Sequence, residues 1–566
     1  MKLIELRFLR GPNLYANTPC MLALVETAGE DGAWEEACMV QRTVRELQEM
    51  AGLPAPFGCV RRVGARRFRI VCGFQNEEVG EQALGLAIDF VHGERDGVLT
   101  CATSRTARLA ETAARCALAP GLAAAVGQAR ARGIPVLRLE DGSLQFGWGC
   151  RQARAGRSDD AASLPAGDGR IPVIAITGTN GKTTTTLLVA HTARLAGHVT
   201  GVTTTEGVFI DREQVVKGDC TGYWSAMDVL TSPKVDFAVL ETARGGILKR
   251  GLAFDRCDVS VVLNVSADHL GLEGVDTIED LAAVKGVVAR SAGRVTVLNA
   301  EDPHCAAMAT LLAEEVEVVY FAMDPDSPVL LRHLAQGGRA VYLDDRSVVV
   351  ADGNLHEELL RVEHIPFTLN GRARYNIANA LAAAAALMGA GFSKLAIADG
   401  LSTFVSDGRS NPLRTNIFDV QGVTVVVDYA HNTAAYAALA EMARALTSGK
   451  LVGIVTAPGD RRDSDLEEIG ATCARHFDQI VVYESQSRGR AMGATVEVIV
   501  RGARAGGGAA EIIEEWIDID AIRRGLALCA PGDVLVFACG TSLGTLVEAL
   551  RLPDPVSAER IAASIA

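Results

Sequence analysis

The stretch Ala175–Thr186, AITGTNGKTTTT, stands between a β-branched run and a helical stretch, and it decides the fold of the central part of the chain. It fits the phosphate-loop pattern GxxxxGK[ST] with one departure, since Ile176 takes the place of the first glycine and Gly178 supplies the flexibility. Backbone N–H groups of such a loop close around phosphate oxygens, and the dipole of the following helix favours the negative charge. In this pattern Lys182 reaches the β- and γ-phosphates, and the Thr183 hydroxyl helps to hold Mg²⁺. A glycine-containing turn is the competing interpretation, and the strand before the loop disfavours it.

On both sides of this loop the sequence alternates between strands and helices. The apolar runs IPVIAIT, VDFAVLET, CDVSVVLNV and RVTVLNA are typical of buried parallel strands. RAVYLDDRSVVVADG predicts an added hairpin that turns at Asp344 and Asp345. A second alternating series begins near Thr415, and the turn residues of SDGRSNP place a boundary near Phe404–Asn411. The sequence therefore predicts an α/β fold with a central phosphate-loop domain, residues 170–405, and a Rossmann-like C-terminal domain, residues 406–566.

The sequence before Ile171 has a different character. KLIELRFL, CMLALVET and RFRIVCGF predict strands, and residues 35–51 and 78–93 predict helices, which together indicate a small α+β domain. An alanine- and arginine-rich stretch, 104–132, predicts further helical structure, and Arg151–Gly169 has the composition of a linker. We assign residues 1–165 to this N-terminal domain and its linker.

Composition restricts the class of protein. The 566 residues are 49% hydrophobic and 22% charged, which is typical of a globular chain of several domains. There are 55 basic and 69 acidic residues, a net charge of −14, which disfavours nucleic acid as a partner. The 13 cysteines form no CxxC pair, and neither a membrane span nor a secretion signal is visible. We expect a cytoplasmic protein with no nucleic-acid or membrane partner.

Four further residues are candidates for chemistry beside the phosphate loop. Glu241 ends a predicted strand, Asp268 and His269 follow another, and Lys285 lies on a helix sixteen residues further on. Ligands bind at the carboxyl ends of strands in open α/β sheets, so these positions suit a metal or an acyl-phosphate site. Each residue alone also has a plain structural interpretation: Glu241 as a helix cap, His269 as a loop histidine and Lys285 as part of a solvated helix face.

Six motifs in one order carry a family resemblance. GTNGKTTT, ETARGGI, NVSADHLG, LNAEDP, GRARYNIANALAA and DYAHN resemble the Mur ligases, ATP-dependent amide ligases, over about residues 171–550. Within this range TTTEGVFI, KGDCTGYWSA and APGDRRDSDLEEIG resemble the Mur-ligase half of the cyanophycin synthetases. RFLRGPNLYA, AGLPAPFG and GIPVLRLEDGSLQFGWG resemble the first domain of those enzymes.

The resemblance implies a two-step ligation with ATP and two Mg²⁺ ions. ATP phosphorylates a substrate carboxylate, and an amine then displaces the phosphate. By position, the resemblance implies catalytic roles for Lys182, Glu241, His269 and Lys285, with carbamylation of Lys285. The implied metal ligands are Thr183, Glu241, His269 and Lys285. The implied nucleotide-binding residues are Gly178, Thr179, Asn180, Gly181, Lys182, Thr183, Thr184, Asn376 (at the base), Arg414, Asp428 and His431.

The departures from the family pattern are informative. Cyanophycin synthetases carry an ATP-grasp domain, which extends the aspartate backbone, between the two parts that this chain resembles. Here only the twenty residues Arg151–Arg170 lie between those parts, and an ATP-grasp domain needs on the order of a hundred residues or more. Leu413 replaces the usual glycine, and Thr433 replaces the usual proline. We expect side-chain ligation without backbone elongation.

The resemblance leaves the substrates and partners as expectations. It implies that arginine or lysine is joined to the side-chain carboxylate of aspartate. The aspartates of Ala457–Asp465, APGDRRDSD, would pair with a guanidinium, or would simply form an acidic helix N-terminus. The alternatives are an ATP-binding partner or regulatory subunit of a full-length cyanophycin synthetase, a purely structural subunit, and a ligase for another small acid, as in folylpolyglutamate synthesis. We expect a homo-oligomer.

Overall fold

The structure is a computed structural model that describes residues 1–96, 102–157, 159, 161–508, 510–538 and 542–565. The chain forms two compact units. The first unit comprises Met1–Ala175, Val199–Asp258 and Arg290–Gly293, and the second comprises Ile176–His198, Val259–Ala289 and Arg294–Ala566. The three-domain division of the sequence stays a prediction.

The chain begins with a four-stranded antiparallel sheet in the order β1-β2-β4-β3, and one face of this sheet shares a core with the two helices of this region and with Leu109 and Ala113 of the next helix. The predicted strands and helices are confirmed here. The sequence did not predict β3, because GCVRR has no run of apolar residues. The elements are β1 (Lys2–Leu9), β2 (Cys20–Glu26), α1 (Ala33–Met50), β3 (Gly58–Arg62), β4 (Arg67–Gly73) and α2 (Glu77–Asp96).

Two helices and a three-stranded sheet, order β5-β6-β7, follow. The helical stretch predicted over 104–132 is confirmed and consists of two helices: Pro120 begins the second, and Ala119 before it has ψ 145°, as the residue before proline prefers. The predicted linker contains β7, while its residues Ser158 and Asp160 lie outside the described residues. The elements are α3 (Ala102–Cys116), α4 (Pro120–Ala131), β5 (Val136–Arg138), β6 (Leu144–Phe146) and β7 (Ala153–Ala155).

Across the described residues, no single helix is long and apolar enough to cross a membrane. Only Thr106–Cys116 and Pro120–Ala131 taken together reach that length and apolarity, with a bend of 75° between them.

Eleven strands form a mixed sheet in the order β11-β10-β9-β12-β8-β13-β14-β15-β16-β17-β18. The hairpin predicted at Asp344 is confirmed, since Asp344 pairs with Ser347, but an unpredicted acidic strand, β18, extends it. The elements are β8 (Val173–Thr177), α5 (Lys182–Leu195), β9 (Thr200–Thr204), β10 (Gly207–Ile210), β11 (Glu213–Lys217), α6 (Tyr223–Thr231), β12 (Phe237–Glu241), α7 (Arg244–Arg250), β13 (Cys257–Val262), α8 (Ile278–Arg290), β14 (Ala292–Asn299), α9 (Pro303–Ala307), β15 (Glu317–Ala322), α10 (Pro328–Ala335), β16 (Arg339–Asp344), β17 (Ser347–Asp352), β18 (Leu355–Arg361), α11 (Arg374–Ala390) and α12 (Lys394–Thr403).

The last part of the second unit is a six-stranded sheet in the order β19-β20-β24-β21-β22-β23. Five of its strands are parallel, and both faces are buried, which explains their continuous apolar runs. The elements are β19 (Asn416–Val420), β20 (Val423–Asp428), α13 (Thr433–Arg444), β21 (Leu451–Val455), α14 (Asp463–His476), β22 (Gln479–Val482), α15 (Ala494–Ala505), β23 (Glu511–Glu514), α16 (Asp518–Ala527), β24 (Val534–Ala538), α17 (Leu543–Leu550) and α18 (Pro555–Ile565).

Candidate functional site

The phosphate loop links the buried strand β8 to helix α5, as the sequence predicted. Gly181 immediately precedes α5 with φ 88° and ψ −10°, a left-handed conformation that favours glycine. A Cβ atom on Gly181 would lie 2.2 Å from Asn379 Oδ1, so the close approach of α11 also requires glycine here. The loop therefore has the backbone geometry that suits phosphate oxygens at the start of a helix.

Two residues that the sequence analysis did not select hold the loop in shape. Asn264 Oδ1 accepts hydrogen bonds from the backbone N–H groups of Thr179 (3.1 Å) and Asn180 (2.9 Å). The Ser266 carbonyl accepts from the Thr179 hydroxyl at 3.1 Å. Asn264 and Ser266 belong to the motif NVSADHLG, from which the sequence analysis selected only Asp268 and His269. Their position just after β13 was the available signal.

Lys182 and Thr183 begin α5, and each is engaged within the second unit. Lys182 Nζ donates to the Thr179 carbonyl at 2.9 Å, so the lysine lies back over its own loop. Arg414 Nη2, from beyond the predicted boundary near 405, donates to Thr183 Oγ1 at 3.3 Å. Thr184 Oγ1 accepts from Asn411 Nδ2 at 3.2 Å. The structure thus brings Arg414 to the phosphate loop.

Asn376 is buried in α11, and its side chain is hydrogen-bonded to two other groups of the chain. Its Nδ2 donates to the Phe367 carbonyl at 2.9 Å, and its Oδ1 accepts from Asn379 Nδ2 at 3.2 Å. Asn379 in turn lies against Gly181. The contact of Asn376 with a nucleotide base stays a prediction.

Asp268, His269 and His431 form a cluster with Arg461, and their three potential ligand atoms lie within 4.8 Å of one another. Asp268 Oδ2 is 3.4 Å from His431 Nε2 and 3.7 Å from His269 Nε2. The guanidinium of Arg461, which is 4% exposed, places Nη2 3.2 Å from Asp268 Oδ1 and 3.0 Å from His269 Nε2. The Arg461 guanidinium therefore lies beside the carboxylate of Asp268 and donates a hydrogen bond to His269 Nε2.

The charges of this cluster set the protonation of Asp268. Burial alone would raise the pKa of Asp268. The hydrogen bond from His431 and the positive charges of His431 and Arg461 instead hold that pKa well below its usual value. His431 is oriented by Nδ1–H, which donates to the Tyr429 carbonyl at 2.8 Å. His269 has φ 56°, an uncommon conformation for a residue with a side chain.

Asp428 is the partly buried last residue of β20 and accepts hydrogen bonds from Thr415, through the backbone N–H at 2.8 Å and the hydroxyl at 3.1 Å. Burial raises the pKa of Asp428, although Arg414 and the bonds from Thr415 oppose the rise. The Arg414 guanidinium lies 4.6 Å from the ring centre of Tyr429. The contact of Asp428 with a nucleotide stays a prediction.

The two departures from the family pattern have visible geometry. Leu413 has φ 60°, a left-handed conformation, which explains why glycine is the usual residue there. Thr433 is the first residue of α13, a position where proline is favoured, and Asn432 caps the helix by accepting from the Ala435 N–H at 3.0 Å.

Glu241 belongs to the first unit, where it is the buried last residue of β12. Its carboxylate accepts hydrogen bonds from the Thr205 N–H at 3.3 Å and from the Thr205 hydroxyl at 3.1 Å. The helix that follows, α7, is capped by Ala243 without a side-chain bond. The interpretation of Glu241 as a helix cap is therefore wrong.

Lys285 lies on α8 with 3% of its surface exposed. The interpretation of Lys285 as part of a solvated helix face is therefore wrong. Carbamylation would convert the amine of this buried lysine into an anionic carbamate, and it stays a prediction.

The aspartates of Ala457–Asp465 are paired with the chain's own arginines. Asp460 binds Arg461 at 2.7 Å and Arg488 at 2.9 Å, Asp463 binds Arg490 at 2.8 Å, and Asp465 binds Arg462 at 2.7 Å. Asp463 and Asp465 also lie in the first turn of α14, which is the plain alternative considered from the sequence. In this arrangement these aspartates do not offer a free carboxylate to a guanidinium.

The residues fit a metal ion unequally. Mg²⁺ prefers oxygen ligands, which Thr183 and Glu241 supply. His269 Nε2 accepts a hydrogen bond from Arg461, so this nitrogen becomes a ligand only when Arg461 moves away. The ammonium of Lys285 repels a cation, whereas a carbamate would supply oxygens.

Comparison with known proteins gives matches over the central and last parts of the chain. Residues 176–387 match the Mur ligase middle domain, and residues 413–540 match the Mur ligase glutamate ligase domain, together more than half of the chain. The cyanophycin synthetase of Synechocystis sp. is 47% identical over 339 residues, 59% of this chain and 38% of that enzyme. That of Crocosphaera subtropica is 43% identical over 377 residues, 66% of this chain and 43% of that enzyme. The matched region thus spans about two fifths of the length of these relatives.

More distant similarities are to other ligases. A UDP-N-acetylmuramoyl-L-alanyl-D-glutamate–2,6-diaminopimelate ligase of Corynebacterium efficiens is 28% identical over 388 residues, 66% of this chain and 70% of that enzyme. Among solved structures, a pseudomurein peptide ligase type C from Methanothermus fervidus gives a TM-score of 0.49 at 17% identity, covering 67% of this chain and 78% of that one.

Proposed function

Because this chain belongs to the Mur ligase family through residues 176–387 and 413–540, we propose that it is an ATP-dependent ligase that forms amide bonds. One observation carries the proposal: Arg414 of the last part of the chain donates to Thr183 at the start of the phosphate-loop helix. A chain that only stores or senses a nucleotide does not need a second cation there, whereas phosphoryl transfer concentrates negative charge that two cations stabilise.

The proposed reaction has two steps. In the first, a carboxylate oxygen of the acceptor attacks the γ-phosphorus of ATP, and ADP leaves, which gives an acyl phosphate. In the second, the amine attacks the acyl carbon, a C–N bond forms, and phosphate leaves while the amine loses a proton. Lys182 and Arg414 stabilise the charge on the transferring group. Bound Mg²⁺ would neutralise phosphate charge, with Thr183, Glu241, His269 and a carbamylated Lys285 as its proposed ligands.

The acceptor and the amine are also proposals. The identity with cyanophycin synthetases, 47% and 43%, supports an aspartate side chain as acceptor and a basic amino acid as amine. The segment Arg151–Arg170 has no room for an ATP-grasp domain between the two parts of the chain. We therefore propose that the enzyme modifies an acceptor made elsewhere. The eleven described cysteines are all free thiols, which suits the cytoplasm.

The test is a mass-spectrometric product assay. The protein is mixed with Mg·ATP, short aspartate-containing peptides and each standard amino acid in turn. We expect a mass gain equal to arginine or lysine minus water, with one ADP per adduct. Lys182→Ala should abolish product formation. Lys394 is an exposed lysine paired with Glu357, so the control variant Lys394→Ala should leave the rate unchanged.

Other results would redirect the assignment. Equal rates in the Lys182→Ala variant and the parent would exclude the proposed mechanism. ATP binding without any adduct would favour a partner role beside a full-length cyanophycin synthetase. An adduct on a different small acid would favour the folylpolyglutamate-like alternative. The homo-oligomer stays a prediction, and sedimentation velocity of the purified protein would test it.

A further inference from the structure

Glu484 is a buried carboxylate without a partner among the described residues. It lies two residues after β22 and is 8% exposed, and neither of its oxygens is in contact with solvent. Within the described part of the chain, neither oxygen accepts a hydrogen bond. An ionised group removed from water without a partner is strongly destabilising, so natural proteins keep one mainly where a ligand completes it.

The backbone around Glu484 holds the side chain in this place. Tyr483 N–H donates to the Val455 carbonyl at 3.0 Å, which continues the pairing of β21 and β22 to the residue before Glu484. The Tyr483 hydroxyl donates to the Ala538 carbonyl at 3.1 Å. On the other side, Gly459 N–H donates to the Gln486 carbonyl at 2.8 Å. The backbone is therefore fixed at Tyr483, directly before Glu484, and at Gln486, two residues after it.

The nearest arginines in sequence are engaged elsewhere. Arg488 forms an ion pair with Asp460 at 2.9 Å. Arg490 binds Asp463 at 2.8 Å and donates to the carbonyls of Gly459 and Arg461. These contacts explain why the loop after β22 contains two cations and still leaves the carboxylate of Glu484 unneutralised.

The position of Glu484 suits a ligand. Strands β21 and β22 are parallel, so their carboxyl ends lie at one edge of the last sheet, where ligands bind in folds of this type. The residue after β21, Thr456, is also buried, and its hydroxyl has no partner among the described residues. Two unsatisfied polar side chains therefore follow neighbouring strands at the same edge.

We infer that Glu484 recognises the cationic end of the amine substrate, a guanidinium or an ammonium group. This inference rests on the proposed ligase function and names the residue that selects the amine. A guanidinium offers paired N–H donors that match both oxygens of a carboxylate. The aspartates of Ala457–Asp465 are already paired, whereas Glu484 is not. Glu484 is a specificity-determining residue, since it does not contact the reacting carboxylate or phosphate in this assignment.

The experiment compares arginine with citrulline, which has the same shape but a neutral end, in the parent enzyme and in Glu484→Gln. We expect the parent to prefer arginine. In Glu484→Gln, kcat/KM for arginine should fall about 30-fold or more, the loss typical when one partner of a buried charge pair is removed. The kcat/KM for citrulline should stay the same or rise. Glu468→Gln, an exposed position on α14, is the matched control and should change neither value.

A second readout separates this inference from the proposed function. Hydroxylamine traps an acyl phosphate as a hydroxamate without any amino acid, so it reports only the first step. Hydroxamate formed equally by the parent and by Glu484→Gln is the expected result. No hydroxamate from the parent would overturn the proposed function. Hydroxamate together with unchanged discrimination between arginine and citrulline in Glu484→Gln would overturn the role of Glu484 alone.

Thermal unfolding gives a third readout. If Glu484 is reserved for a ligand, Glu484→Gln should unfold at the same or a higher temperature than the parent, because an unpaired buried charge is removed. A clear fall in the unfolding temperature would indicate an internal partner and would contradict the inference. Should that variant not fold, Glu484→Asp keeps the charge and shortens the side chain. This variant should retain the preference for a cation at a lower kcat/KM.

Discussion

At the scale of single residues, the most consequential contact is the one that Arg461 makes. Its guanidinium is buried beside Asp268 and His269, and it comes from the loop after β21 of the last sheet. It therefore joins the central and last parts of the second unit through charge. The sequence motif APGDRRDSD contains this arginine, but sequence reasoning attended to its aspartates, because nothing in the spacing shows which of the two arginines turns inward.

Arg461→Ala should lower the free energy of unfolding by about 1.5–3 kcal/mol, because Asp268 loses its guanidinium partner and keeps only His431. The neighbouring Arg462→Ala is the control, since Arg462 is exposed and its ion pair with Asp465 contributes about 0–1 kcal/mol. Urea unfolding of both variants measures the difference. Equal losses in the two variants would show that Arg461 does not hold the cluster.

Asp428→Asn should change how stability depends on pH. Burial raises the pKa of Asp428 in the folded state above the ordinary value of about 3.9. Below that ordinary value both states are protonated, and the stabilisation is complete. As the pH rises from there through the raised pKa, the unfolded state ionises first, and the stabilisation is lost.

The asparagine variant lacks this titration but keeps an oxygen that can accept from Thr415. Its free energy of unfolding, relative to the parent, should therefore rise with pH across this window. Urea unfolding at a series of pH values measures this difference. A difference that is constant with pH would mean that the pKa of Asp428 is not raised.

At the scale of elements, the sequence predicted those whose signal is local. Buried strands such as β8, β12 and β20 were found because both faces are apolar, and the phosphate loop was found from its glycines and lysine. The position of Asn264 after β13 was a signal, but its hydrogen bonds to the phosphate loop and the buried state of Glu484 were not predictable. Both depend on which strands become neighbours, and a polar residue after a strand looks the same whether or not it has a partner.

Gly181→Ala tests the phosphate loop as an element. Alanine would be strained at φ 88°, which costs about 1–2 kcal/mol, and its Cβ would also meet Asn379. The matched control is Gly197→Ala, just after the other end of α5. There φ is 92°, and an added Cβ would have no neighbouring residue within 4 Å.

We expect both variants to lose stability in urea unfolding, Gly181→Ala by the larger amount. Only Gly181→Ala should also weaken binding of a fluorescent ATP analogue, by about tenfold or more. Similar nucleotide affinity in the two variants would show that the close approach of α11 to Gly181 does not matter for nucleotide binding.

At the scale of the whole molecule, the N-terminal sheet is joined to the helix α7 region within the first unit. Arg10 N–H donates to the Arg250 carbonyl at 2.7 Å, and Leu252 N–H donates to the Pro12 carbonyl at 2.9 Å. Gly11 lies so close that a Cβ on it would be 2.0 Å from the Leu252 carbonyl oxygen. The order of the motifs indicated which regions of the chain resemble known enzymes. This junction was not predictable, because it joins residues that are far apart in the sequence.

Gly11→Ala should force this junction apart and cost about 1–3 kcal/mol, the usual range for overpacking. Gly29→Ala, in the same sheet region with no atom within 4 Å, is the control and should have little effect. Limited proteolysis and thermal unfolding measure the result. Unchanged protection of the N-terminal region in Gly11→Ala would show that the junction tolerates separation.

The paired side-chain amides of Asn180 and Asn432 have a consequence for protein engineering. Asn180 Nδ2 donates to Asn432 Oδ1 at 3.3 Å, and Asn432 Nδ2 donates back to Asn180 Oδ1 at 3.0 Å, so the phosphate loop and the cap of α13 recognise each other. A chimera that takes its last sheet from another ligase inherits only one half of this exchange. Such grafts should work best when the donor also carries an amide at the cap, or when both positions are transplanted together.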